Sequence, residues 1–459
     1  MLWKTGSYKN SFIISLISLF VVFSAYLVWM FFEKEPPSIS VKGLPLYLSS
    51  SKSFVLSVSD KKMGLRRVKI ELIQGKKEKV FFDKRFPYSG LLNREGIHKY
   101  TAKITLSPVK FGFSNGDVTL KIYAWDYSKR NGFKGNLKLF TKKLKIDTTP
   151  PQIVPLSRLN YFSIGGSGLI TYEVSEDTVK TGIYLNKIFF PAYKVGTSSG
   201  KFSSYVCYIG IPYDIRFPVD FYIWAEDRAG NNATARFYYR IKKRSFRKRK
   251  IIITDSFLKK VLPFFSHLSF PKDASDIDKF LKINRELRKK NNQLIKRLVL
   301  KTSKKRLWKG AWIYLRNSKC TARFGDQRAY FYKGRCIDHQ VHLGIDLASV
   351  ANSPVPASNS GKVIYTGIMG IYGLAVIIDH GQGIFSLYGH LSRIDVEKGQ
   401  EVKKGDIIGL TGQTGLAGGD HLHFSILVNG IFVNPEEWID YHWLKNNILR
   451  KLKRIKGGY

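Results

Sequence analysis

The chain has 459 residues, enough for about three domains, and its 44% hydrophobic content supports sizeable cores. Aromatic residues make up 14%, mostly Tyr and Phe, which favours strands. The net charge of +42 suggests nucleic acid, anionic lipid or an acidic polymer as partner. No nucleic-acid-binding motif accompanies it, so nucleic acid is not expected.

The charge is uneven. Residues 340–443 hold 5 Lys/Arg and 10 Asp/Glu, whereas residues 241–310 hold 23 basic and 5 acidic side chains. An acidic core is thus flanked by basic sequence.

Residues 11–32 form a run of 22 positions without a charge, long enough to span a bilayer core. Lys4 and Lys9 precede it, which keeps residues 1–10 in the cytoplasm. The exit, Met30-Phe31-Phe32-Glu33, is a poor cleavage site. An uncleaved signal anchor is expected, giving a single-pass membrane protein with its bulk periplasmic or otherwise extracytoplasmic.

Residues 36–147 alternate short apolar runs with Gly, Asn, Asp and Ser turns, the pattern of a β-sandwich. Residues 148–241 repeat it. Pro36-Pro37 and Pro150-Pro151 open the two segments, and Trp125-Asp126 is echoed by Trp224-Ala225-Glu226-Asp227. With Asp147-Thr148-Thr149-Pro150-Pro151 and Ala229-Gly230-Asn231, the pair resembles tandem bacterial immunoglobulin-like domains. Asp126 and the Glu226/Asp227 pair read first as turn caps, with calcium binding as the alternative.

Residues 242–310 read as a basic helical linker. Its cations suit solvent, or anionic envelope polymers and lipids. Ser275 precedes an amphipathic pattern and is the expected N-cap. This helix is expected to pack on the next domain, with self-association and covering of a cleft as alternatives. Cys320 and Cys336 make a disulfide feasible outside the cytoplasm. Such a loop closure contributes about 3 kcal/mol in the chain-entropy model. The spacing does not decide whether it forms.

Residues 311–445 carry the chemistry. Three motifs follow in order: His342-Leu343-Gly344-Ile345-Asp346, Tyr388-Gly389-His390-Leu391 and His421-Leu422-His423. Imidazole and carboxylate suit tetrahedral zinc, and a hydrolytic site keeps one position open. His342, Asp346 and one histidine of the final pair are candidate ligands. On a strand, residues 421 and 423 project from one face. His342 and Asp346 converge only if the chain bends near Gly344, because on a straight strand they stand about 13 Å apart. Short strands with glycine turns predict an antiparallel sheet around the motifs. Residues 412–419 read as a mobile loop feeding His421, and residues 446–459 as a basic tail.

The three motifs resemble those of the lysostaphin-like, or LytM-type, peptidoglycan zinc metallopeptidases. The resemblance covers roughly residues 308–443. It implies zinc on His342, Asp346 and His423, with His390 and His421 catalytic. It also implies hydrolysis of stem or cross-link peptides in peptidoglycan. A membrane-anchored activator of another wall hydrolase, and an enzyme acting on secreted proteins, are the rivals. All five positions are present, which favours activity. His98, His267, His339, His380 and His442 read as structural. The expected fold is mainly β: a transmembrane helix, two β-sandwich domains, the linker and a C-terminal antiparallel metallopeptidase domain.

Overall fold

The computed structural model describes residues 6–198 and 200–455. Residues 1–5 of the expected cytoplasmic segment, and 456–459 of the expected basic tail, lie outside the described residues. The protein is mostly β and divides into two units, residues 1–150 with 227–231, and residues 151–226 with 232–459.

The first unit begins with helix Gly6–Phe31. Within it, residues Ser11–Phe31 are long and apolar enough to cross a membrane, and side chains such as Leu19 and Phe20 are exposed. A β-sandwich follows. One sheet runs Ser38–Lys42, Lys52–Ser59, Lys99–Leu106; the other runs Tyr47–Leu48, Leu137–Ile146, Gly116–Asp126, Leu65–Gln74, Lys77–Arg85. Strand Gly116–Asp126 buries Val118, Leu120, Ile122 and Ala124 at every second position. That alternation turns one face of the sheet to the core. They pack with Phe54, Leu56 and Val58 of the opposite sheet. Asp126 caps its turn, accepting from the backbone N–H of Ser128 and Asn136.

The second unit holds another pair of four-stranded sheets, centred on Ser167–Ser175 and Phe221–Asp227. It shares a continuous core with the last part of the chain. Leu169, Val206 and Tyr208 join Trp308, Trp438 and Phe424 in one cluster. Polar ties reinforce it: Ser167 N–H donates to Glu437 at 2.7 Å, and Asn429 Nδ2 donates to Tyr208 O at 3.0 Å.

Residues 242–310, expected as a linker, are built into this unit. Strand Lys248–Ile253 lies parallel to Gln327–Tyr332, which pairs with Arg335–Val341. Ser275 accepts from Asp278 N–H and Asp278 reaches back, a complete capping box. The helical stretch that follows buries Phe280, Ile283 and Ile295. Cys320 and Cys336 are both free thiols.

The motif-bearing sheet is eight-stranded. Its centre runs Ile345–Ala348, Leu422–Val428, Ile384–Leu391, Leu374–Asp379. Strand Ile384–Leu391 is buried along its whole length. A strand covered on both faces reads as a continuous apolar run, and this one holds two aromatics and three aliphatics.

Candidate metal centre

Strand pairing brings the motifs together. Asp346 stands directly opposite His423, and Gly389 stands opposite His423 on its other side. His342 lies just before Ile345–Ala348, beyond the end of strand Arg335–Val341. The bend expected at Gly344 is present. A Cβ there would meet Phe424 O at 2.6 Å and His423 Nε2 at 2.7 Å, so only glycine lets the chain turn against strand Leu422–Val428.

Three donor atoms converge. His342 Nε2 lies 2.9 Å from Asp346 Oδ1. His423 Nδ1 lies 3.0 Å from the same oxygen and 3.0 Å from His342 Nε2. Tetrahedral ligands around zinc stand about 3.3 Å apart, so the donor set fits one small ion. All three side chains are buried.

Neighbouring groups fix the tautomers. His342 Nδ1–H donates to Arg323 O at 3.0 Å, which leaves Nε2 as the lone-pair nitrogen. Ser425 Oγ–H donates to Leu343 O at 2.8 Å, so its oxygen accepts from His423 Nε2–H at 2.9 Å. Asp346 Oδ2 accepts from Arg328 at 2.8 Å, leaving Oδ1 for an ion. Burial pushes the His423 imidazole down to about 4. Burial raises the Asp346 carboxyl, but His342 and His423 outweigh it and hold the group well below the usual carboxylate range.

His390 and His421 complete the cluster. His390 Nδ1–H donates to Thr414 O at 2.8 Å, and His421 Nδ1–H donates to Gly419 O at 2.8 Å. Each therefore presents a free Nε2. Their ring centroids are 4.8 Å apart, and His421 Nε2 is 3.7 Å from Asp346 Oδ1. Burial, then the neighbouring His421 and His423, hold His390 well below its ordinary pKa. His390 has φ 62°, a left-handed conformation that a side-chain-bearing residue rarely adopts. The loop feeding His421 is tied in place: Thr414 Oγ1 donates to Leu391 O at 2.7 Å, and residues 412 and 421 form a bridge.

The other histidines stand apart from this cleft. His380 is buried between Ser360 O and Ser386 Oγ, His339 is exposed, and His442 pairs with Asn446. The sequence did not single out Arg328, Ser425 or Tyr372, whose ring lies 5.2 Å from that of His423. Ser425 was readable as the next same-face position after His423. The arginine was not, because its strand carried no motif.

The cleft has two walls. One is the motif sheet; the other comes from the former linker, with Arg249, Ile251, Ile253, Phe257, Phe280 and Arg288. Asn291 Oδ1 accepts from Ile371 N–H at 2.9 Å, and Asn292 Oδ1 accepts from Tyr372 Oη–H at 3.0 Å. This helix therefore sets the turn that borders His423.

Two histidines and an aspartate thus converge in an antiparallel sheet as a group that could hold a metal ion. Residues 340–435 match the sequence model of Peptidase family M23, so the chain carries an M23 peptidase domain in its C-terminal part. Over 96 residues it is 43% identical to the DD-carboxypeptidase/endopeptidase Mpg of Neisseria meningitidis serogroup B, covering 21% of this chain and 22% of that protein. It is 43% identical over 93 residues to the peptidoglycan DD-endopeptidase ShyA of Vibrio cholerae, covering 20% and 22%. The chain thus spans about a fifth of these relatives' lengths. A putative peptidase M23 structure from Pseudomonas aeruginosa aligns with 60% of this chain and 94% of its own, at 22% identity and a TM-score of 0.37.

Proposed function

We propose that the protein is a membrane-anchored, zinc-dependent endopeptidase that hydrolyses stem or cross-link peptides of peptidoglycan. The carrying observation is the convergence of His342 Nε2, Asp346 Oδ1 and His423 Nδ1 within 3.0 Å of one another. These three residues are the proposed ligands. Bound there, zinc supplies Lewis-acid chemistry, acidifying water and polarising a carbonyl.

The chain's own groups do the rest. His421 and His390 present unprotonated Nε2 atoms on one side of the ligands, so one accepts the proton of the attacking water. The imidazolium so formed is then the donor to the tetrahedral oxyanion and the source of the leaving amine's proton, directly or through the neighbouring ring 4.8 Å away. The carbonyls of Thr414 and Gly419 hold both rings in the required tautomer. Relatives named for peptidoglycan endopeptidase activity support the substrate class. Helix Ser11–Phe31 is long and apolar enough to supply the anchor, and Lys4 and Lys9 ahead of it support an outer location for the catalytic unit. Contact of the exposed cations among residues 242–250 with anionic envelope polymers or lipids belongs to the same proposal.

Purified sacculi test the reading. His423→Ala is expected to lose zinc and hydrolysis together. His421→Ala is expected to keep stoichiometric zinc while losing about 100-fold or more in rate. Full hydrolysis by His423→Ala would refute the ligand assignment. Mass spectrometry of the products identifies the bond cleaved.

A further inference from the structure

The cleft carries more positive charge than the metal centre uses. On strand Lys248–Ile253, Arg249 stands in register with Arg328 on the neighbouring strand. Arg249, Ile251 and Ile253 all line the cleft, as do Arg328 and Tyr330. The two-residue repeat therefore places both guanidinium groups on one face. Like charges opposed across neighbouring strands destabilise a sheet. Arg328 is neutralised by Asp346. Among the described residues Arg249 has no ion pair or hydrogen bond through its side chain, although it is half-buried.

Arg288 lines the same cleft from the helix. Among the described residues, its Nε and Nη2 bond only the neutral Asn284. Among the described residues, Asp346 is the one acidic side chain lining the cleft. Its Oδ2 is already taken by Arg328, and its Oδ1 is a proposed metal ligand. The cleft therefore holds three arginines against one committed carboxylate, and a dication adds to that excess. A local arrangement that opposes sheet stability without a partner inside the protein calls for one outside it. The planar guanidinium fork matches a carboxylate, and partial burial strengthens the pairing.

We propose that Arg249, with Arg288 from the helix of the same wall, forms a subsite for a free carboxylate of the peptide substrate beside the scissile bond. The preferred substrate class is then an anionic peptide rather than a neutral, glycine-rich one. This inference rests on the peptidase reading and deepens it. It also gives the basic stretch a role in the cleft, beyond any contact with the envelope.

The full chain in detergent is tested on two probes. One is a cross-linked muropeptide dimer with its free carboxylates. The other is the same dimer with those carboxylates converted to amides. The unaltered protein is expected to cleave the carboxylate form with a kcat/KM about ten-fold or more above the amide form, mostly through KM. Arg249→Gln is expected to lose most of that preference, and Arg249→Lys to keep part of it. Zinc content and thermal midpoint establish that each variant is folded. Equal cleavage of both probes, or an unchanged preference in Arg249→Gln, overturns the subsite and leaves the peptidase reading standing. Binding is measured in parallel by calorimetry. Tighter binding of the carboxylate form that Arg249→Gln abolishes, without cleavage of either probe, overturns the peptidase reading and supports the subsite. Neither cleavage nor preferential binding overturns both.

Discussion

Ser425 shows how much of the site depends on one hydroxyl. It passes a hydrogen bond from His423 Nε2 to Leu343 O, so it decides which imidazole nitrogen faces the ion. Groups that orient a metal ligand typically contribute 10–100-fold in affinity. Ser425→Ala is expected to weaken zinc by about that factor, read by competition with a chelating dye, while the fold persists. Gly344 acts through space instead. Its missing side chain leaves room for Phe424 O and His423 Nε2. Gly344→Ala is expected to cost about 1–3 kcal/mol by overpacking and to displace His342. A lower thermal midpoint together with lost zinc is the expected reading. At this scale the ligand and catalytic candidates were legible, because histidine and aspartate at short spacings carry their chemistry in their identity. Arg328 was not legible: it reaches Asp346 only because its strand lies against the motif sheet.

Among the elements, the helix at residues 276–298 matters most to the site. Its capping box and apolar spacing were readable, but its contacts were not. Asn291 is buried, and its side-chain oxygen accepts from Ile371 N–H. Removing it leaves a buried donor unpaired, at about 1–3 kcal/mol. Asn291→Ala is expected to show that loss in chemical denaturation, and a lower kcat/KM because Tyr372 borders His423. The strand at Lys248–Ile253 was hidden by its composition. Arg249 and Lys250 sit in a run of cations that resembles solvated linker, and parallel pairing with Gln327–Tyr332 leaves no local trace. The loop at residues 412–419 looked free for a similar reason: its glycines were visible, and the bonds from Thr414 to Leu391 and His390 were not.

At the scale of the molecule, two buried groups give stability opposite dependences on pH. Burial lowers the His380 imidazole from 6.5 to about 4. The unfolded chain then binds more protons between those values, so stability is lost as pH falls through that window. Burial raises the Glu437 carboxyl from 4.5 to about 7. Here the folded chain binds more protons, so its contribution is present at low pH and lost as pH rises towards 7. Glu437→Gln is expected to flatten the decline between pH 4.5 and about pH 7, the window of that shift, measured by thermal unfolding of the full chain. The proposed anchor makes a separate prediction. The full chain is expected to stay with the membrane pellet under alkaline carbonate extraction, because helix Ser11–Phe31 carries exposed apolar side chains.

The sequence by itself determined the apolar run of the N-terminal helix, the predominance of strands and the five candidate residues of the proposed metal centre. Each of these depends on residue type and short-range periodicity, which the order of amino acids contains directly. Only the tertiary structure decided that the basic stretch forms a wall of the cleft, that Arg328 and Ser425 orient the ligands, and that Arg249 faces the same cleft without a partner. Those relations join residues on separate strands: Arg328 and Asp346 are 18 positions apart, and Ser425 and Leu343 are 82 apart. They arise when strands pair and a shared core closes, and local sequence does not encode which strands meet.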